Sequence, residues 1–186
     1  MQDRLEHTLA FHCAPAMAGI KPSSLVCCDR KRYPNLEKRL RALQRQLAAS
    51  DIRLRPVCRC GSRVLVLVYC QQVLDTHLAR PEVKSFLEQA GYPVRGTEEI
   101  LQHLELRLHR APTFPHEAGI ILGYPQEDVE GFCRHKGQNC KLSGYWKVYG
   151  DADRARVLFS RYTQCREVCC GLLEQGMSLC QLFCAA

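Results

Sequence analysis

No apolar run in this sequence is long enough to cross a membrane. The longest uninterrupted one is Val64 to Cys70, far short of the roughly 20 residues a spanning helix needs. No basic-then-apolar leader opens the chain, because Asp3, Arg4, Glu6 and His7 interrupt its first residues. A protein without membrane contact, held in the cytoplasm, is therefore expected. No Cys-x-x-Cys pair occurs, which removes zinc ribbons, thioredoxin-type motifs and the common ferredoxin spacings. No glycine-rich loop of the dinucleotide or P-loop type follows a predicted strand, so Rossmann and nucleotide-hydrolase readings have no support. Aromatic RNP motifs and zinc-finger spacings are missing too, and nucleic acid is not the expected partner.

Cysteine is the residue in excess. There are 13 in 186 residues, an odd number that includes two adjacent pairs, Cys27-Cys28 and Cys169-Cys170. A secreted disulfide framework would come with a leader and an even count, so free thiols in a reducing compartment are the better expectation. Hydrophobic residues at 46% and charged residues at 24% describe ordinary globular composition. The length suits one well-buried core. A single domain over 1–186 is expected, with the cysteine-rich stretch 165–186 appended to its last helix. The net charge is +7. Much of the basic excess lies between Arg30 and Arg63, where Lys38, Arg39 and Arg41 line the polar face of a helix.

Hydrophobic periodicity lays out the rest. Leu5 to Phe11 fits a helix or a strand. Asn35 to Ala49 reads as an amphipathic helix with Leu36, Leu40, Leu43 and Leu47 on one face. Ile52 to Cys58 and Arg63 to Cys70 read as a hairpin turned at Gly61-Ser62, with Pro56 pushing its strand to the sheet edge. Helices follow over Gln71–Ala79, Pro81–Gln89 and Thr97–Arg110, then a proline-bearing loop over Ala111–Pro115. Gly119 to Gly123 is expected as a short strand, Gln126 to His135 as a helix and Tyr145 to Tyr149 as a last strand. Asp151 is placed as the cap of a long helix reaching Leu173. The class is α+β, a mixed and largely antiparallel sheet of about 4–5 strands packed with helices.

Three segments concentrate residues with chemical uses. In 11–22, His12 and Cys13 precede a proline- and glycine-shaped bend and Lys21, and a nearby cation lowers a thiol's pKa. In 114–128, His116 and Glu117 stand at one end of an apolar run, with Tyr124 and Asp128 beyond it. In 141–151, alternation sets Tyr145, Lys147 and Tyr149 on one face and Trp146 and Val148 on the other, with Lys141 alongside. An aromatic–lysine surface suits an anionic, flat or phosphate-bearing ligand. Cysteine groupings at Cys58/Cys60, at Cys133, His135 and Cys140, and at Cys165/Cys169 are each too sparse to define a metal site, and none is assigned.

Several of these stretches resemble a bacterial family of unknown function, number 3793 in the domain-of-unknown-function series. The likeness is carried by His12-Cys13-Ala14-Pro15 with Ala18-Gly19-Ile20-Lys21, by Phe114-Pro115-His116-Glu117 and Leu122-Gly123-Tyr124-Pro125, by Asp128-Val129, and by Gly144-Tyr145-Trp146-Lys147-Val148-Tyr149-Gly150. It spans nearly the whole chain, except the cysteine-rich stretch from Cys165 to Cys184. The resemblance implies a cytosolic bacterial protein, mainly of anaerobic Firmicutes. It brings no activity, substrate or cofactor.

Three readings of function compete. The leading one is a binding protein whose pocket forms where the three segments meet and takes a small anionic or redox-active ligand through His12, Lys21, Tyr124, Asp128, Lys141, Tyr145, Trp146, Lys147 and Tyr149. The second is a thiol-dependent hydrolase or transferase with Cys13 as nucleophile, His116 as base and Glu117 or Asp128 orienting it. The third is an interaction or regulatory protein that uses the basic helix 35–49. The sequence identifies no cofactor and sets no oligomeric state.

Overall fold

Strand Arg63–Cys70 is made almost wholly of Val, Leu and Tyr, so it can be buried on both faces and is suited to a central position. The computed structural model, which describes residues 4–110 and 113–184, puts it there. In chain order the elements are α1 (Arg4–Met17), β1 (Ser23–Asp29), α2 (Leu36–Gln46) with a 3₁₀ turn at Leu47–Ala49, β2 (Ile52–Cys60), β3 (Arg63–Cys70), α3 (Gln71–Leu78), α4 (Pro81–Gln89), α5 (Thr97–Arg110), α6 (Ala118–Ile121), α7 (Gln126–His135), β4 (Leu142–Ser143), β5 (Lys147–Val148), α8 (Ala152–Glu174) and α9 (Leu179–Phe183). The chain divides into two compact units, one formed by the chain up to Leu74 with Gln164 onward, the other by Asp75–Thr163. The protein is α+β, with a three-stranded antiparallel sheet in order β1-β3-β2 and a separate two-stranded ribbon β4-β5.

In the first unit, β3 pairs antiparallel with β1 (Val26 opposite Val66) and with β2 (Leu54 opposite Val68). The hairpin expected at Gly61-Ser62 is present. Pro56 lies on edge strand β2, where its missing N–H costs no central ladder bond, and the register slips between Pro56 and Cys58. Strand β1 was not expected from the sequence; its alternation is broken by Cys27-Cys28, of which Cys27 points outward and Cys28 inward. The undecided segment before His12 is helical. Leu5, Leu9 and Cys13 recur at four-residue spacing and enter a core shared with Leu36, Leu40, Leu43, Val64, Val66 and Val68. Burying a leucine there contributes about 1.5–3 kcal/mol. Near the end of the chain, Leu173 and Leu179 join the same core.

In the second unit, the helices α4, α5 and α7 occupy the ranges the sequence indicated. Thr97 is the first residue of α5. The Asp151 carboxylate accepts from the N–H groups of Asp153 and Arg154 (3.1 and 3.0 Å), which caps α8. One expectation is overturned. Gly119 to Gly123 is not a strand; its residues form the short helix α6 and the turn after it. Backbone N–H groups of Ala118, Gly119 and Ile120 bond to the carbonyls three residues back. A run of four apolar residues carries no period that separates a buried turn of helix from a buried strand, and local turn bonds decide it here. The last strand is also shorter than expected, reduced to Lys147–Val148. Of the loop expected over Ala111–Pro115, Ala111 and Pro112 lie outside the described residues.

Candidate functional site

The second unit holds a pocket of about 320 Å³, lined mainly by charged and polar residues, between α7 and the chain around the β4-β5 ribbon. Two-residue strands have little stability of their own, so something else must fix the ribbon against the helix. That role belongs to Asp128. Its carboxylate is buried and accepts the Trp146 indole N–H at 2.7 Å and the backbone N–H groups of Tyr149 and Gly150 at 2.6 and 2.8 Å. All three partners are donors aimed at a charged acceptor, the strong class of hydrogen bond. Asp128, expected as a ligand contact, thus spends its acceptors on the scaffold.

Close approach does the remainder. A Cβ at Gly131 of α7 would lie 2.5 Å from Cβ and Cγ of Tyr149, so the tyrosine ring can rest on the helix only because residue 131 has no side chain. Gly150 is covered in the same way by the Glu127 side chain. The imidazole of His135 stacks on the Tyr149 ring at 5.5 Å and 9°. On α7, Glu127, Gly131 and Arg134 stand at i, i+4 and i+7, so one helical face supplies one wall of the pocket. Asn139, Lys141 and Tyr149 supply others.

Two features of this pocket bear on chemistry. The Tyr149 hydroxyl is buried and has no hydrogen-bond partner among the described residues; burial, with Cys140 and Asp128 nearby, raises its phenol above the ordinary value. An unpaired buried donor costs roughly 1–3 kcal/mol, a cost an acceptor atom of a ligand would remove. The cations are under-used. Lys141 gives one N–H to the Gly150 carbonyl at 2.8 Å, which orients it and leaves donors over, and Arg134 is exposed. Of the two acids on the wall, Glu130 is engaged by the Gln126 amide at 2.7 Å.

Other residues expected at a site are placed as follows. Tyr124 stacks on Trp146 at 5.0 Å, and burial raises its hydroxyl to about 12. That hydroxyl donates to the Tyr145 carbonyl at 3.4 Å, and the Tyr145 hydroxyl pairs with Thr163 at 3.2 Å. Trp146 is core, edge-on to Phe159 at 4.5 Å. Lys147 donates to the Gly137 carbonyl at 2.6 Å. The aromatic cluster is therefore packing, with Trp146 and Val148 buried and Lys147 outside, as alternation indicated. Only Lys141 and Tyr149 of the expected set line the pocket. Glu127, Glu130, Gly131, Arg134, His135 and Asn139 were missed; the i, i+4, i+7 spacing of Glu127, Gly131 and Arg134 on α7 was the available signal.

His116 is exposed, its ring 4.8 Å from that of Phe132. Glu117 does not orient it. Its carboxylate is held by the Arg107 guanidinium at 2.7 and 3.0 Å and by the Tyr92 hydroxyl at 3.4 Å.

The segment 11–22 lies in the first unit. Cys13 is fully buried on α1, and burial drives its thiol far above the ordinary range. A protonated thiol closed off from solvent is poorly suited to attack. His12, one position earlier, lies at the surface with its ring partly covered, edge-on to Phe11 at 5.1 Å; that partial burial and then Arg166 lower its pKa. Lys21 is buried and donates to the Ser24 hydroxyl at 3.4 Å. Burial lowers it to about 8, against the opposing pull of Cys13. All thirteen cysteines are free, and no group of three or more His, Cys, Asp or Glu among the described residues is arranged to hold a metal ion. No helix of the described residues is long and apolar enough to cross a membrane.

An α+β chain with a small pocket lined by charged and polar residues is what fold and geometry define. Residues 9–183 match the family described as "Protein of unknown function (DUF3793)", and the chain belongs to that family. No curated protein and no solved structure matches it.

Proposed function

We propose that this chain is a binding protein of the bacterial cytoplasm that takes a small anionic ligand in the pocket between α7 and the β4-β5 ribbon. The observation that carries the reading is the convergence of Arg134, Lys141 and Tyr149 on one pocket, Tyr149 bringing a buried hydroxyl that has no acceptor among the described residues. A carboxylate or phosphate oxygen of the ligand accepts from Tyr149 while Lys141 and Arg134 neutralise its charge. Asp128 and Gly131 act as positioning groups, one fixing the backbone that bears Tyr149, the other making room for its ring. The 11–22 segment contributes no lining residue to this pocket. A reducing cytoplasm suits thirteen free thiols.

The test is amide chemical-shift mapping of the full chain during titration with inorganic phosphate and, separately, citrate. Saturable shifts centred on Arg134, Lys141 and Tyr149 support the proposal. Shifts confined to the basic helix α2, or none at all, refute it.

A further inference from the structure

The cysteines at the end of the first unit contain one pair arranged unlike the rest. The thiols of Cys180, on α9, and of Cys184, the residue that caps its C-terminus, both donate to a single acceptor, the Gln46 carbonyl at the end of α2, at 3.2 and 3.6 Å. The Cys184 N–H still bonds to the Cys180 carbonyl at 2.8 Å, so the last turn brings the two side chains to the same side. Their helix is held in place. Ser178 and Gln181 form a complete capping box, and the Leu179 N–H donates to the Glu6 carboxylate at 2.7 Å. Both thiols are half-buried, open enough to be reached. Other near pairs differ: in Cys27-Cys28 the side chains point to opposite faces, and in Cys58/Cys60, Cys165/Cys169 and Cys169-Cys170 one thiol is buried.

We propose that Cys180 and Cys184 form a dithiol site for a thiophilic centre with two valences to fill, namely a monosubstituted trivalent arsenical. A metal ion that needs three or four protein ligands finds no such set here, whereas a two-connected centre needs only these two sulfurs. Charge and bite select within that class: a soft divalent cation would give a neutral but near-linear bis-thiolate with its sulfurs on opposite sides of the metal, whereas these two thiols lie on the same side, over one carbonyl oxygen. Bis-thiolate binding of a soft monovalent cation leaves a net negative complex beside Leu182 and Phe183, which pack against the core, and burying unpaired charge is costly. The arsenical adduct is neutral. The step balances without an oxidant: an arsine oxide R–As=O condenses with two S–H groups, two As–S bonds form, the As=O bond breaks, and one water leaves with both thiol protons. The adduct removes both S–H donors from the Gln46 carbonyl. This site is independent of the anion pocket.

The experiment uses the full chain, reduced with a phosphine and titrated with phenylarsine oxide under anaerobic conditions. Intact mass counts adducts, and a thiol count follows each addition. Wild type is expected to hold one adduct that consumes two thiols and resists mercaptoethanol, because the second As–S bond forms at the high effective concentration set by the first. About a hundredfold less mercaptoethanol should strip it from Cys180→Ser and from Cys184→Ser, with Cys165→Ser unchanged. Fragmentation of the wild-type adduct, which needs no variant to fold, should place arsenic on a peptide bearing both Cys180 and Cys184. A resistant adduct that survives in both serine variants, or maps to other cysteines, overturns the proposal.

Discussion

Replacing Asp128 by alanine should loosen the second unit by an amount its three hydrogen bonds set. The carboxylate is buried and satisfies the Trp146 indole and two backbone N–H groups within 2.6–2.8 Å. Hydrogen bonds to a charged group are worth about 1.5–3 kcal/mol each, and a stranded buried donor costs roughly 1–3 kcal/mol. The Tyr149 and Gly150 N–H groups are only half-buried, so water relieves part of that penalty, and the total falls at about 3–5 kcal/mol. Against a domain stability of about 5–15 kcal/mol this is a large loss. Asp128→Asn keeps one acceptor oxygen but turns an amide toward the donors, so it should cost about half as much. The chain has a single tryptophan, and it is the one bonded to Asp128. Urea unfolding followed by Trp146 fluorescence therefore reads this unit directly, and the alanine midpoint should fall by about 1–3 M. A fall worth under about 1 kcal/mol would mean that the ribbon is held by its aromatic packing and that the Asp128 clamp has been misread.

Gly131→Ala places a methyl where the Tyr149 ring rests; overpacking of this kind costs about 1–3 kcal/mol, and thermal unfolding should show it together with loss of any anion-induced shift. Lys21 has a folded pKa of about 8 against an ordinary 10.5, so between those values the unfolded chain holds the extra proton and wild-type stability gains with rising pH, by up to about 3 kcal/mol. Cys13 and Cys28, both raised by burial, Cys28 to about 11, act the other way above the ordinary thiol range. The stability difference between Lys21→Met and wild type isolates the lysine, since both proteins keep the cysteines. It should favour the variant near pH 7 and shrink toward pH 10; a difference that stays flat across that range would show Lys21 to be solvated. Iodoacetamide should label exposed Cys27, Cys60 and Cys133 long before Cys13, and early labelling of Cys13 on the acidic side of neutrality would restore the thiol-enzyme reading.

The regular elements were legible where periodicity had room to repeat. The leucine spacing of α2 and the Val/Leu run of β3 specify their structures almost alone, and Asp151 announces α8 through its side-chain chemistry. Strand β1 was hidden because Cys27-Cys28 puts two similar residues on opposite faces. Helix α6 was mistaken for a strand because four apolar residues carry no period. The site was legible in part. Lys141 and Tyr149 stood out in an aromatic–lysine stretch, but Arg134 and His135 come to them through Gly131, whose value lies in a contact absent from the linear pattern. Asp128 was noticed for its charge, yet only three-dimensional placement shows that its acceptors are already taken.

The central claim is that the Tyr149 hydroxyl awaits a ligand's acceptor, and Tyr149→Phe tests it in one thermal-unfolding series with and without phosphate or citrate. Removing an unpaired buried hydroxyl should leave the free protein as stable as wild type, or more stable by about 1 kcal/mol, while abolishing the stabilisation the anion gives to wild type. A variant that is less stable by more than about 1 kcal/mol without anion, or that keeps the full anion response, would contradict the account.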